Sequence, residues 1–376
     1  MRNGVGLLLA VGLGCSAALH AQSIDKWEIG PFTRPLEGNP IITARAESTF
    51  QDPIKQAPVY WEKLQTFNPA AVVRNGKVYV LYRAEDDSGE MKIGGHCSRI
   101  GLAESDDGVH FTRRAEPVFF AAKDSQEARE WPGGTEDPRV VESEDGTYVM
   151  TYTQVTFSPT HEPHWATGLA TSRDLLHWTK YGPVFQDASD GKYTRMNYKS
   201  CGIVTRLDEK KGRLIAARID GRYWMYWGEN AIRLATSTDL VHWSPVEDAS
   251  GNALELLHAR PHRFDSGYPE VGPPPVLTGD GIILMYNGIN AASGGDADLG
   301  PGAAGAGEAL FDAKEPSRLI ARTESPVLKP ETPYEKTGQY VPGDTFTEGL
   351  VYFHKQWFLY YGCADKMVAV AIAPQK

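Results

Sequence analysis

The chain of 376 residues carries 38 basic and 48 acidic side chains, for a formal charge of −10, and 10% of it is aromatic. This acidic balance lacks the basic footprint that nucleic acid requires and offers little to an anionic membrane surface. Nine Trp and seventeen Tyr can furnish a large core and leave a surplus suited to flat apolar ligands with hydroxyl edges, such as sugars.

Met1 to about Ala21 reads as a secretory signal, with Arg2 as the positive end and Val5 to Leu13 as an apolar run too short to span a bilayer. The expected mature chain is therefore 22–376, exported to a bacterial periplasm or beyond. Cys15 resembles a lipid-attachment site, but glycine stands where the usual leucine would precede it by three, so lipidation is the lesser alternative. Cys97, Cys201 and Cys363 are odd in number and widely spaced, which indicates neither a disulfide framework nor a zinc site. No later stretch reads as a membrane span.

From residue 67 onward a unit recurs about every 70 residues, each one a polar opener, a strand, a turn and a Tyr-rich return strand. Phe67-Asn68-Pro69-Ala70 turns at Asn75-Gly76, a strong hairpin signal, into Val78 to Tyr82. Glu136-Asp137-Pro138-Arg139 turns at Asp145-Gly146 into Tyr148 to Tyr152. The third unit opens at Lys199-Ser200-Cys201 and is expected to return through Leu214 to Ala217. The fourth opens at Glu270 and returns through Ile282 to Tyr286; the fifth opens at Glu348 and returns through Trp357 to Tyr361. A second motif follows most hairpins, clearest in Ser172-Arg173-Asp174-Leu175-Leu176-His177-Trp178 and Ser237-Thr238-Asp239-Leu240-Val241-His242-Trp243. Five self-similar units predict an all-β chain, a five-bladed β-propeller forming one domain over 22–376.

In such a fold the openers Asn68, Asp137, Lys199, Glu270 and Glu348 converge on a central funnel. A second ring holds Arg83 with Glu85 and Asp86, Arg218, Asn287 and Asp365. Polar variety at equivalent positions suits a binding pocket better than a repeat. Carboxylates facing one another across a funnel point to glycoside chemistry, where one acid protonates the leaving oxygen and another activates water or attacks carbon. Asp137 is one candidate, held at a strand mouth by Gly133-Gly134 and Pro138; Glu229 and Glu270 are the others. Solvated turn charges are the plain alternative for each. His161 and His164 lack a third ligand nearby, so no metal and no cofactor are expected. The run Gly294 to Gly307 has no Gly-Lys-Ser/Thr and reads as a lid or slack connection rather than a phosphate loop.

Several motifs together resemble glycoside hydrolase family 130 over nearly the whole mature chain. They are Gly133-Gly134-Thr135-Glu136-Asp137-Pro138-Arg139, Asn68-Pro69, Phe264-Asp265-Ser266 with Gly272-Pro273-Pro274-Pro275, and Tyr361-Gly362-Cys363-Ala364-Asp365. The resemblance implies a five-bladed propeller acting on β-mannosides with inversion. It makes Asp137 the general acid, working through a sugar hydroxyl, and places Asn68, Arg83, Asp86 and Asp365 around the bound mannose. Lys199 fits the lysine of the family's phosphorylases. However, Trp227-Gly228 stands where those enzymes carry His-Arg, and Thr153 to Phe157 contains no arginine. Glu229 and Glu270 resemble the paired glutamates that activate water in the β-1,2-mannosidase branch. The expectation is an exo-acting inverting β-mannosidase on mannose-containing oligosaccharides, with β-1,2-linked mannosides the leading substrate. The alternatives are an inverting phosphorylase, keeping Lys199 and Arg218 as anion ligands, and a non-catalytic sugar-binding propeller.

Overall fold

The computed structural model describes residue 1 and residues 26–88, 96–158, 162–340 and 342–375. Apart from Met1, the leader expected over 1–21, with Cys15, lies outside the described residues, as does His161. Helix among the described residues is confined to Glu127–Glu130 and the 3₁₀ turns Ser189–Arg195 and Pro333–Glu335.

Five antiparallel units follow one another. Unit I is Gln65–Arg74, Lys77–Glu85, Ser98–Ser105 and Thr112–Arg113. Its first turn puts Asn75 and Gly76 at φ 51° and 75°, the twist that joins two strands most tightly. Unit II is Gly134–Glu142, Tyr148–Phe157, Pro163–Ser172 and Trp178–Pro183. Unit III is Cys201–Ile203, Arg222–Trp227, Ile232–Ser237 and Trp243–Pro245. Unit IV is Tyr268–Val271, Ile282–Ile289, Ala304–Phe311 and Leu319–Arg322. Unit V is Phe346–Phe353, Gln356–Cys363 and Met367–Pro374, and Thr33 and Ile42 bridge to Ile372 and Val368 on its last strand.

The core lies between these units. One apolar cluster joins Leu81 and Ile100 to Met150, a second Val149 to Ile203 and Met225, a third Leu234 to Leu284, and a fourth Ile283 to Leu359. The fifth joins Val80 of unit I to Val351 and Val368 of unit V. Each unit thus buries both faces, which explains why strands such as Gln65–Arg74 and Ala304–Phe311 are apolar or buried at nearly every position rather than at alternate ones.

Packing repeats inside the units as well. Tyr82, Tyr152 and Tyr286 lie directly across the strand pair from Gly101, Gly168 and Gly307. The rings occupy the space a side chain would fill: a Cβ on Gly168 would lie 2.6 Å from Tyr152 Cζ. Each buried phenol donates to a buried carboxylate, Glu62 at 2.9 Å, Glu130 at 2.7 Å and Asp265 at 2.7 Å. Arg113, Lys180 and Arg260 pair with those carboxylates in turn, so each of the three buried carboxylates faces a cation.

Two sequence expectations need correction. The return strand of unit III is Arg222–Trp227, not 214–217. Turns at Asp208 to Gly212 and at Asp220-Gly221 follow in quick succession, so Arg213–Ala216 folds back on Thr205–Asp208, and this hairpin joins the neighbouring units, Ile215 pairing with Glu142 and Thr205 with Val276. The glycine-rich run is not slack either. Residues 304–307 begin a buried strand, and Asn290 holds the preceding loop by donating to the carbonyls of Asp296, Leu299 and Gly300.

Candidate active site

Asn68 and Asp137 occupy matching places in units I and II, and both have φ 47°, a left-handed conformation rare for residues other than glycine. Each sits in a β-bulge, where the strand pairing skips from Phe67 to Pro69 and from Glu136 to Arg139. The proline that follows cannot donate to the ladder and fits a bulge, and the bulge re-aims the side chain. As a result Asn68 Nδ2 donates to Asp137 Oδ1 at 2.9 Å, across the gap between two units. Ser200, at φ 60°, opens unit III in the same conformation, which leaves Lys199 one residue ahead and free to reach inward.

These residues border a cavity of about 490 Å³. Asn68, Arg83, Asp137, Lys199, Glu229, Glu270 and Asp365, all singled out from the sequence, line it. Arg83 Nη1 lies 3.2 Å from Asp137, and Nη2 lies 2.8 Å from Glu136 and 2.7 Å from Glu85. Lys199 Nζ lies 4.0 Å from Asp137, 3.8 Å from Glu229 and 3.0 Å from Glu270. Through that shared ammonium, at 4.0 Å and 3.0 Å, Asp137 and Glu270 are at most about 7 Å apart, so both carboxyl groups border the same part of the cavity.

Other sequence candidates lie outside the cavity lining, Glu85 among them, paired with Arg83. Arg218 is exposed; its guanidinium stacks on Tyr223 and donates to the carbonyls of Gly221 and Thr238. It was placed by the misread return strand of unit III. Asp86 is buried outside the cavity lining, 2.9 Å from Arg99 and 3.7 Å from Lys55. Glu348 is fully buried, with Arg139 at 3.2 Å. Arg139 donates in addition to the carbonyls of Asp137, Val271 and Gly272, tying the strand of the acid to that of Glu270. Asn287, from the second ring, binds Thr347 and joins units IV and V.

Glu136, Trp165, Tyr268, Tyr340, Asp344 and Phe346 also line the cavity and were not singled out. Tyr268 stands two residues before Glu270 on one strand, so its side of the sheet was readable. Tyr340 and Asp344 come from the stretch ahead of unit V, where no repeat marks them.

Burial pushes the Asp137 carboxyl up, but Arg83, Lys199 and the Asn68 amide outweigh it and hold the group below its ordinary range. Burial drives Glu229 the other way, with Glu270 and Asp137 adding to the rise and Lys199 opposing it. Burial raises Glu136 and Asp365 to about 7, against the pull of Arg83. Lys199 stays firmly charged because Glu270, Glu229 and Asp137 together overcome its burial. The arrangement can hold a polar ring edge-on, supply carboxylates on two sides of it, and stack it on Trp165, Tyr268 or Phe346. Among the described residues no group of His, Cys, Asp and Glu is placed to hold a metal ion, and no helix is long and apolar enough to cross a membrane.

The sequence model of glycoside hydrolase family 130, described as beta-1,4-mannooligosaccharide phosphorylase, matches residues 34–376. A 1,2-beta-oligomannan phosphorylase of Thermoanaerobacter sp. (strain X514) is 31% identical over 342 residues, 91% of this chain and 97% of that protein. A glycosyl hydrolase from Bacteroides ovatus has a solved structure that is 45% identical, with a TM-score of 0.89, covering 94% of this chain and 96% of the other. Another structure, 46% identical with TM-score 0.89 and coverage of 94% and 96%, is described by the statement that the GH130 family of mannoside phosphorylases contains glycoside hydrolases that target beta-1,2 mannosidic linkages in Candida mannan. The chain is therefore a member of glycoside hydrolase family 130, an enzyme family acting on mannosides.

Proposed function

We propose that the protein is an exo-acting, inverting β-mannosidase that hydrolyses β-1,2-linked manno-oligosaccharides, built as a single five-bladed β-propeller and exported. Five units with an apolar cluster between each neighbouring pair, the last with the first, support the propeller reading. The charge of the cavity supports hydrolysis. Two cations, Arg83 and Lys199, face six carboxyl groups, those of Glu136, Asp137, Glu229, Glu270, Asp344 and Asp365. Both cations are already engaged by carboxylates. A phosphate nucleophile needs free fixed cations, whereas water needs a positioned base. In this reading Asp137 delivers a proton to the leaving oxygen through a sugar hydroxyl, and Glu229 and Glu270 hold the water that attacks the anomeric carbon from the opposite face.

The named curated relatives, which are phosphorylases, favour the second reading, an inverting phosphorylase releasing mannose 1-phosphate. That reading loses one of its anion ligands, since Arg218 lies outside the cavity. Incubation with β-1,2-mannobiose, with and without phosphate, separates the two. Mannose should form at the same rate in both; phosphate-dependent mannose 1-phosphate would establish the phosphorylase instead.

A further inference from the structure

Glu229 and Glu270 face each other as a cross-strand bridge, a like-charged pairing that is unfavourable unless something separates their roles. Their surroundings differ. Glu270 Oε1 accepts from the Ser200 hydroxyl at 2.5 Å and lies 3.0 Å from Lys199 Nζ, and its side chain is 2% exposed. Glu229 is 19% exposed; Lys199 is 3.8 Å away, and its one hydrogen bond of note comes from the Trp165 indole, Nε1 to Oε1 at 3.2 Å. Taking a proton on Glu270 would cost it both a short hydroxyl bond and a close ammonium contact. Glu229 could take one and lose only the indole.

We propose that the two glutamates divide the work. Glu229 accepts the proton of the attacking water with Trp165 as its positioning residue, while Glu270, pinned by Ser200 and Lys199, is a fixed anion that keeps its charge throughout. This rests on the hydrolytic reading. The water oxygen bonds to the anomeric carbon, its proton passes to Glu229, and the glycosidic electron pair leaves with the departing oxygen, which takes the proton relayed from Asp137. Trp165 belongs to unit II and Glu229 to unit III, so the base is aimed from outside its own strand. The upward push of burial on Glu229 fits a base that must take up a proton near neutral pH.

The groups facing Glu229 are Lys199, Glu270, Asp137, Trp165 and Tyr268. Because Asp137 sits below its ordinary value and Glu229 above, the productive form, proton on Asp137 and none on Glu229, is a minority form. The alkaline limb of the kcat/KM profile then belongs to Glu229.

The test uses 4-nitrophenyl β-mannoside in phosphate-free buffer. Azide can occupy the space of a removed carboxylate and attack the anomeric carbon without any base, displacing nitrophenolate and giving α-mannosyl azide. Azide should speed Glu229→Ala about tenfold or more, a modest part of what a general base supplies, and should not speed Glu270→Ala. Trp165→Phe should lower kcat/KM about tenfold, the worth of one hydrogen bond to a charged group, and move the alkaline limb to higher pH. Ser200→Ala should leave that limb in place. Rescue of Glu270→Ala instead, of both alike or of neither, or an unmoved limb in Trp165→Phe, overturns the division. Failure of the hydrolytic reading shows separately, as a wild type that releases nitrophenolate only when phosphate is supplied.

Discussion

Asp137 is held by an amide and two cations that favour its anion, so the acid role assigned to it has a specific signature. Asp137→Asn keeps the contact geometry and removes the proton, and should cost ~10²–10⁴ in kcat on mannobiose. An aryl mannoside, whose leaving group needs little protonation, should lose much less. Equal losses on both substrates would make Asp137 a binding residue only. Glu136 and Asp365 yield a second prediction. Both face Arg83 and Asp137 and titrate as one cluster, raised from 4.5 and 3.8 to about 7. Between pH about 4 and 7 the folded state keeps protons that the unfolded chain has released, so their contribution is full below the unfolded values and is lost as pH rises through 7. Thermal scans of the sugar-free protein from pH 5 to 8 should show a Tm that falls less steeply for Glu136→Gln than for the wild type; parallel slopes would rule out this linkage. Sequence made Asn68 and Asp137 legible because a polar residue before proline at a strand mouth is itself the signature of the bulge. Glu136 was in plain view beside Asp137, but one strand position normally faces one way, and only the bulge brings both neighbours to the cavity.

At the scale of strands, the tyrosine facing a cross-strand glycine is the recurring contact, and it makes the glycine a packing requirement. Gly168→Ala would put a methyl 2.6 Å from the Tyr152 ring carbon, in a cell closed by Glu130 and Lys180. Overpacking of this kind should lower unfolding free energy by ~1–3 kcal/mol, read as a lower urea midpoint at unchanged slope. An unchanged midpoint would mean the ring moves freely. Hairpins with Asn-Gly or Asp-Gly turns were readable in units I and II, and continuous apolar return runs ending in Tyr revealed units IV and V. Unit III was misread because two short hairpins in sequence offered two return strands of similar composition. Only long-range pairing, Cys201 with Trp227 and Ile215 with Glu142, selects between them. That single slip put Arg218 in the expected second ring, although it lies exposed outside the cavity.

For the molecule as a whole, the pocket is a product of neighbouring units: no one of them supplies Asp137, Lys199 and Glu270 together. Unit I gives Asn68 and Arg83, unit II Asp137 and Trp165, the segment opening unit III Lys199, the end of its return strand Glu229, and unit IV Glu270. Arg139, on the strand of Asp137, reaches the carbonyls of Val271 and Gly272 and so sets how far the acid stands from Glu270. The repeat along the sequence brought Asn68, Asp137, Lys199 and Glu270 to one cavity as expected, while the fifth opener, Glu348, lies outside its lining against Arg139.

The strap formed by Thr33 and Ile42 on the final strand joins residues 339 apart in sequence at its outer end. Thr33 N–H donates to the Ile372 carbonyl, and Ile41 N–H to that of Val368, both at 2.8 Å. A nascent chain that has emerged only as far as residue 366 has no strand to receive 33–42, however complete its earlier units are. Those early residues must wait, exposed or held by something else, until residues 367–374 have been made. Contacts so distant in sequence are slow to form. Pairing of residues 33–42 with the strand Met367–Pro374 therefore comes late in folding, after the units between them can already have formed.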